Sequence, residues 1–175
     1  MEAGAKEEEK GGYLALSRVS PGELLGMGAA LVLLASLWLP WFTTSDNPNS
    51  KLACTGEPAT NCAVGPNSSA DAWTVFSRLD WLLVAACAAP FILTWIVARG
   101  HALTWKPGEV TMVVGIVAFV LILCNGIILG KPEPGIEVGL GIGYFVGLLG
   151  SLGLLVAGYL RQALYTKDRK PPGVI

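Results

Sequence analysis

Four long apolar runs without a charged residue constrain this chain more than any other feature. They cover residues 24–42, 81–98, 110–129 and 138–160 and hold 19, 18, 20 and 23 residues. A helix that crosses about 30 Å of hydrocarbon needs about 20 residues. Charged residues make up only 14% of the chain, so a soluble domain would lack the polar surface to cover four such helices. The sequence therefore predicts an all-α membrane protein with four transmembrane helices.

The first run could be either a membrane helix or a signal peptide, because a signal peptide is also apolar and N-terminal. Signal peptides have an apolar core of about 7 to 15 residues, a basic start and small residues at the cleavage site. This run holds 19 residues, follows the stretch KEEEK, which has no net positive charge, and ends in the bulky stretch WLPW. We therefore expect a retained membrane helix.

The lysines and arginines predict the orientation of the helices. With the N-terminus inside, nine of them fall in inner segments and three in outer segments. Cytoplasmic loops of membrane proteins carry such an excess. Because short connections make consecutive helices antiparallel neighbours, we expect a multi-pass, up-down-up-down bundle in the plasma membrane. The N-terminus and the C-terminus are both expected to be cytoplasmic.

The expected bundle spans residues 21–162 and lies between two cytoplasmic tails. A polar, disordered tail precedes it over residues 1–20, and a basic tail follows it over residues 163–175. The expected helices cover about residues 22–42, 74–99, 108–130 and 137–161, and the outer loop covers residues 43–73.

Two local signals refine the expected helices. Ser20, Pro21 and Glu23 are typical of a helix start, with Ser20 as the N-cap and Glu23 in the third helical position. Pro90 removes a backbone hydrogen bond inside the second helix and is expected to bend it.

The tryptophans fall where the expected helices meet the two membrane surfaces. Indole rings favour the headgroup region because they combine an apolar body with a polar tip. We therefore expect them to act as interface anchors. The anchors expected at the outer surface are Trp38, Trp41, Trp73 and Trp81, and those at the inner surface are Trp95 and Trp105.

Glycines line one face of the expected fourth helix. Gly139, Gly143, Gly147 and Gly150 follow one another at intervals of 4, 4 and 3 residues. Small residues at this spacing let two helix backbones approach closely inside a membrane. The pattern predicts packing within the bundle or against a partner helix, and the alternative is an opening for lipid or substrate.

The four cysteines divide into a loop pair and a helix pair. Cys54 and Cys62 lie eight positions apart in the outer loop, where a pair outside the cytoplasm tends to oxidise. A structural disulfide there would add about 2 to 3 kcal/mol. A thiol-redox enzyme would need a C-x-x-C motif or a second loop pair close to a quinone, and the sequence lacks the C-x-x-C motif, so the structural disulfide is favoured. Cys87 and Cys124 lie in expected helices, where cysteine behaves as a small apolar residue.

Polar residues that could form a site are few. No ionisable residue lies in the middle of an expected helix, which argues against proton-coupled transport and against a channel with a charged ring. Asn125 is expected to make an interhelical hydrogen bond. Arg78 can pair with Asp71 or Asp80, and an exposed ion pair of little energetic worth is favoured there over a ligand site. His101 is the only histidine, so we expect no metal, no cofactor and no catalytic residue.

A family resemblance rests on four stretches taken in order. They are LSRVSPGELL, LPWF, AWTVFSRLDWLLV and GIGYFVGLLGSLGLLVAGYL. Across residues 16–162 the chain resembles small four-helix membrane proteins of unknown function from actinobacteria, and this resemblance implies topology and host but no site residues. Claudin-like proteins also have two cysteines in the first outer loop. Here the tryptophan-containing lead-in to the first cysteine is missing and the loop is short for their sheet, so that match is taken as coincidence.

These observations favour a structural or accessory membrane protein over an enzyme. Its expected partners are the lipid bilayer and a helix of another copy or of another membrane protein, with no nucleic acid. The alternative is a carrier or channel for a neutral or lipidic solute, with Pro90 and the glycine face as the opening. An enzyme of lipid or thiol chemistry is the least favoured hypothesis, because the sequence shows no recognisable set of catalytic residues.

Overall fold

The computed structural model describes residues 19–48, 52–53, 63–76, 78–99, 106–125 and 138–167. This part of the chain is mostly helical and also contains short strands. The helices are α1 (Pro21–Ser36), α2 (Ala72–Val75), α3 (Leu79–Ala98), α4 (Pro107–Leu123) and α5 (Ile142–Lys167). The strands are β1 (Pro40–Thr44), β2 (Leu52–Ala53), β3 (Ala63–Val64), β4 (Ser69–Asp71) and β5 (Val138–Leu140).

The four long helices pack side by side as a bundle. Helix α5 contacts α1 and α4, and α3 contacts the same two helices. Helices α1 and α5 are antiparallel, because Gly22 at the start of α1 lies beside Arg161 while Leu33 near its end lies beside Gly150. Helices consecutive in the chain are therefore neighbours in space, which is the arrangement that short connections favour.

Two of these helices are long and apolar enough to cross a membrane. They are α3 and the segment Ile142–Ala163 of α5, whereas α1 and the segment Gly108–Leu123 of α4 are shorter apolar helices. Only 22% of the apolar window of α3 and 44% of that of α5 is buried. Both helices therefore turn much of their apolar surface outward, unlike the core helix of a soluble domain.

A small sheet makes the all-α prediction incomplete. Strand β1 lies in the middle and pairs antiparallel with β4 on one side and with β5 on the other. Its central residue Phe42 is opposite Ala70 of β4 and Leu140 of β5. Strands β2 and β3 form a separate antiparallel pair. The segment expected to be an irregular outer loop thus supplies most of the strands.

The first helix ends at Ser36 rather than near residue 42 because Pro40 cannot continue it. Proline has no N–H and clashes with the preceding turn. The indole Nε1 of Trp41 donates to the carbonyl of Ser36 at 2.7 Å, which satisfies one of the carbonyls freed at the helix end. The chain therefore turns at Leu37 and enters β1.

The other helix boundaries also differ from the expected ones. The expected second helix is divided into α2 and α3, because the backbone at Phe76 is extended. Helix α5 begins at Ile142 because the preceding residues pair with β1, and it continues to Lys167. The expected end of the third helix near residue 130, the tail over residues 1–18 and the residues after 167 lie outside the described residues.

The core runs without a break from the bundle into the sheet. Trp41 and Tyr144 are the largest fully buried side chains, and their rings meet edge to face at 6.0 Å between centroids. The ring of Trp41 also contacts that of Phe76 at 5.6 Å. The sheet is therefore packed onto one end of the bundle, called the sheet end below.

Candidate functional site

The opposite end of the bundle holds a buried ion pair between α1 and α5. Arg161 Nη2 lies 2.5 Å from Glu23 Oε1, and the side chains of Glu23 and Arg161 are only 2% and 15% exposed. Ionised groups removed from water are costly unless they are paired. Buried charged residues of a helix bundle are therefore candidates for a functional site. We call this end of the bundle the ion-pair end.

The helix start explains why a glutamate lies at this position. Glu23 Oε2 accepts a hydrogen bond from the backbone N–H of Ser20 at 2.6 Å, as the glutamate of a capping box does. The other oxygen of the same carboxylate contacts Arg161. The Glu23 side chain therefore caps the start of α1 and also links α1 to α5.

A glycine makes room for the arginine. A Cβ atom placed on Gly22 would lie 3.2 Å from Cβ of Arg161 and 3.4 Å from the carbonyl oxygen of Ala157. These separations are tight for a real side chain, so the absence of one lets the two helices meet closely. Arg161 can then extend across the start of α1 toward Glu23.

A small cavity adjoins the ion pair. Its volume is about 10 Å³, which is about the space that one water molecule needs. All four long helices contribute to its wall. The lining residues are Gly22, Glu23 and Gly26 of α1, Pro90 and Thr94 of α3, Thr111 of α4, and Ala157 and Arg161 of α5.

The wall of the cavity carries polar groups besides the ion pair. Thr94 and Thr111 are 8% and 5% exposed. The hydroxyl of Thr94 is buried and has no hydrogen-bond partner among the described residues. A buried hydroxyl without a partner costs about 1 to 3 kcal/mol, so the Thr94 hydroxyl favours a hydrogen-bonding ligand in the cavity.

A second ion pair at the same end is exposed and serves as a comparison. Lys106 Nζ lies 3.3 Å from Glu109 Oε1, with side chains 41% and 44% exposed. Gln162 Nε2 of α5 also donates to Glu109 Oε1 at 3.3 Å. Exposed pairs contribute about 0 to 1 kcal/mol. The buried pair is therefore the stronger candidate for a site.

The pairing of Glu23 with Arg161 was not predicted from the sequence, although the sequence contains a signal for it. Glu23 directly precedes the first apolar run and Arg161 directly follows the fourth. Opposite charges that border two runs on the same side of a bundle can meet when the helices are neighbours. Which helices are neighbours is a matter of tertiary structure.

The tryptophans do not all behave as the interface prediction requires. Trp38 and Trp81 are 61% and 65% exposed, and Trp73 lies between them with ring centroids at 5.6 and 5.8 Å. This cluster lies at the sheet end. Trp41 is fully buried, so its assignment as a surface anchor is wrong and it is a core residue.

Of the two tryptophans expected at the inner surface, one is described. Trp95 is 50% exposed, and the guanidinium carbon of Arg99 lies 4.6 Å from its ring centroid. Such cation–π contacts are modest at exposed sites. Trp105 lies outside the described residues.

Three of the four predicted packing glycines lie on α5 and face α1 and β1. A Cβ atom on Gly143 would be 2.6 Å from Cδ1 of Trp41, and one on Gly147 would be 3.0 Å from Cζ2 of the same ring. A Cβ atom on Gly150 would be 2.8 Å from Cα of Leu33. Gly139 belongs to β5 instead, so it is not part of this helix face.

A second glycine contact, between α4 and α5, was missed by the sequence analysis. A Cβ atom on Gly115 would lie 2.8 Å from Cα of Leu155, and one on Gly158 would lie 2.7 Å from Cα of Met112. Gly108 belongs to the same contact, since its carbonyl oxygen would lie 2.7 Å from a Cβ atom on Gly158. The interval of seven between Gly108 and Gly115 was the available signal.

Replacement of Gly115 by alanine is expected to destabilise the bundle by about 1 to 3 kcal/mol, because α4 and α5 must separate. The measurement is the free energy of unfolding in detergent. Gly28→Ala is the matched control, since no atom lies within 4 Å of its added Cβ and alanine favours the helix. Equal stability of the two variants would contradict the close backbone approach.

The remaining polar predictions are only local in effect. Asp71 Oδ1 accepts from the backbone N–H of Thr74 at 2.8 Å and caps α2. Asp80 is 3% exposed, and its Oδ1 accepts from the backbone N–H of Trp81 at 2.9 Å.

Two of the predicted polar contacts are not found among the described residues. Between the described residues no ion pair joins Arg78 to Asp71 or Asp80. Asn125 Nδ2 donates to the carbonyl of Leu121 at 2.9 Å, so its described hydrogen bond lies within one helix, not between two.

The loop cysteines lie outside the described residues, and Cys87 and Cys124 are free. No disulfide is present in the part of the chain that the structure describes. The same part contains no group of three or more side chains suited to hold a metal ion.

Comparison with known proteins adds no family to this description. No protein-family model and no curated protein matches the chain.

Proposed function

We propose that the chain is a multi-pass plasma-membrane protein of structural or accessory type. In this proposal α1, α3, α4 and α5 all span the bilayer, both termini are cytoplasmic, and the protein acts through contact with itself or with another membrane protein. Membership of the small four-helix membrane proteins of actinobacteria is part of the same proposal. The observation that carries it is a closed, glycine-packed interior inside an apolar outer surface.

The apolar outer surface supports a lipid environment. Large apolar side chains are exposed on all four long helices, whereas soluble monomers rarely expose apolar patches beyond a few hundred Å². Representative members are Leu31 and Val32 of α1, Phe91 and Ile92 of α3, Val117 and Val120 of α4, and Leu149 and Val156 of α5.

The two shorter helices fit the proposal with a small mismatch. Helices α1 and α4 hold 16 and 17 residues, which corresponds to about 25 Å of helix against about 30 Å of hydrocarbon. A bilayer accommodates such a deficit by local thinning, at a modest cost. At the sheet end, Trp38 and Trp81 provide exposed indole rings of the kind that anchor a helix in the headgroup region.

Fusion proteins test the topology directly. Green fluorescent protein and alkaline phosphatase are joined in turn after residues 48, 104, 133 and 175 and expressed in a bacterium. We expect phosphatase activity at 48 and 133, which lie in the outer segments, and fluorescence at 104 and 175. Phosphatase activity at 175 would contradict four spans with a cytoplasmic N-terminus, and loss of the protein from carbonate-washed membranes would contradict integral insertion.

The closed interior favours an accessory role over transport. The predicted glycine opening is occupied, since Gly143, Gly147 and Gly150 lie against the Trp41 ring and α1. The cavity beside the ion pair has a volume of about 10 Å³, which is too small for any solute larger than water. Crosslinking in the native membrane, followed by purification, is expected to recover a second copy or a membrane partner. Recovery of uncrosslinked monomer alone would contradict the proposed role.

The carrier is kept as the second candidate because the cavity adjoins Pro90. Prolines in membrane helices can mark the place where a helix bends. Liposomes with the purified protein would then release a neutral or lipidic solute faster than empty liposomes. Equal rates for every neutral solute tested would exclude this candidate.

The proposal retains a disulfide between the two loop cysteines. Strands β2 and β3 pair Leu52 with Val64 and Ala53 with Ala63, and Cys54 and Cys62 are the sequence neighbours of Ala53 and Ala63. Two cysteines this close in sequence tend to oxidise when they lie outside the cytoplasm, which is where the proposed topology puts them.

Alkylation of the denatured protein measures this pairing. Without reductant we expect a maleimide to label Cys87 and Cys124 only, and with reductant all four cysteines. The double variant Cys54→Ser, Cys62→Ser is expected to lose about 2 to 3 kcal/mol of stability. The control is Cys87→Ser, which leaves the loop pair intact. Four labelled cysteines without reductant would contradict the bond.

A further inference from the structure

We propose that the cavity at the ion-pair end is a binding site for one water molecule, which links the Thr94 hydroxyl to the Glu23 carboxylate. The inference does not depend on the proposed function, because it concerns the interior of the bundle alone.

The Thr94 hydroxyl lacks a partner among the described residues. Thr94 is 8% exposed, lines the cavity, and its Oγ1 has no hydrogen-bond partner among the described residues. Buried polar groups in proteins are nearly always hydrogen-bonded to protein or to ordered water. A water molecule in the adjoining cavity supplies the missing partner.

A hydrogen-bond acceptor, the Glu23 carboxylate, lines the same cavity. Glu23 Oε1 contacts Arg161 Nη2 and makes no other described hydrogen bond. A carboxylate oxygen can accept more than one hydrogen bond. The water can therefore accept from or donate to Thr94 while it donates to Glu23, and buried waters typically make two to four such bonds.

The size of the cavity and the charges on its wall exclude other ligands. A cavity of about 10 Å³ holds one water and nothing larger. A cation would lie against the positive guanidinium of Arg161, and an anion would lie against the carboxylate of Glu23. The wall is therefore suited to a small neutral molecule that both donates and accepts hydrogen bonds.

A pair of glycines on α1 provides the test. A Cβ atom on Gly26 would lie 3.6 Å from Cβ of Ala157, 3.6 Å from Cβ of Pro90 and 3.8 Å from Cγ2 of Thr111. These are ordinary contacts, so the methyl group of Gly26→Ala enters the cavity without a clash and displaces the water. Gly28→Ala adds the same methyl group to the same helix in open space.

The expected result is a coupling between the cavity methyl group and the Thr94 hydroxyl. Gly28→Ala is expected to lower the equilibrium constant for unfolding in detergent, because alanine favours a helix. The equilibrium constant for unfolding of Gly26→Ala is expected to be about tenfold larger than that of Gly28→Ala, because Gly26→Ala leaves the Thr94 hydroxyl without its partner. In the Thr94→Val background, Gly26→Ala and Gly28→Ala are expected to have equal effects.

A spectroscopic measurement keeps the proposal falsifiable should a variant fold poorly. In protein labelled at threonine methyl groups, magnetisation transfer from water to the Thr94 methyl group is expected for the unsubstituted chain and for Gly28→Ala. It is expected to vanish in Gly26→Ala. A dry cavity would be shown by absent transfer in the unsubstituted chain, or by additive effects of Gly26→Ala and Thr94→Val, and either outcome would overturn the proposal.

Discussion

Replacing Trp41 by alanine is expected to destabilise the protein by about 3 to 5 kcal/mol, measured as the free energy of unfolding in detergent. The side chain is fully buried, and its ring fills the space between β1 and α5 above Gly143 and Gly147. Its indole also donates to Ser36 at the end of α1. Removal therefore leaves a cavity and an unsatisfied carbonyl at the junction of bundle and sheet.

Two further variants separate these contributions. Trp41→Phe keeps an aromatic ring but loses the hydrogen bond to Ser36. Loss of this hydrogen bond is expected to lower the free energy of unfolding by about 0.5 to 1.5 kcal/mol, and repacking around the smaller ring adds to that loss. Trp38→Ala is the matched control, because that side chain is 61% exposed. Equal losses for Trp41→Ala and Trp38→Ala would mean that Trp41 is not a core residue.

Breaking the Glu23–Arg161 pair is expected to cost a similar amount. In Arg161→Met the apolar stem is retained and the charge is removed, which leaves the carboxylate of Glu23 buried without its counter-charge. Such a loss of one partner from a buried pair typically costs about 3 to 5 kcal/mol. The measurement is again the free energy of unfolding in detergent.

A second substitution in a double-mutant cycle shows whether the loss of stability arises from the unpaired, buried carboxylate of Glu23. Glu23→Gln in the Arg161→Met background removes that charge and keeps an oxygen that can accept from the Ser20 N–H. We expect it to restore much of the lost stability. The control is Lys106→Met, which breaks the exposed pair with Glu109 and should cost no more than about 1 kcal/mol. A loss of that small size in Arg161→Met would show that the pair is hydrated, not buried.

These variants bear differently on function. The ion pair, the cavity and Thr94 all lie at the ion-pair end, whereas Trp41 holds the sheet to the opposite end. A variant at the ion-pair end that keeps the fold but loses crosslinking to a partner would place the contact surface there. Trp41 variants are expected to affect both ends, because they disturb the continuous core.

Local chemistry made several elements predictable from the sequence. The Ser20, Pro21 and Glu23 pattern starts a helix because its contacts lie within one turn. The long apolar helices were predictable for the same reason, since hydrophobic patterning and length need no knowledge of neighbours. The exact ends of these helices were less predictable than their existence, because Pro40 and the pairing of β1 together shortened the first helix.

Only the tertiary structure decided the role of Trp41 and the identity of the buried pair. An indole ring suits both a membrane interface and a protein core, and pairing of β1 with β4 and β5 directs Trp41 inward. Glu23 and Arg161 lie at opposite ends of the sequence and meet because α1 and α5 are antiparallel neighbours. Contacts between residues far apart in sequence depend on which surfaces pack together, and that choice is made by the whole chain. The sequence alone determined the long apolar helices and the start of the first one, whereas packing determined which polar groups are buried together.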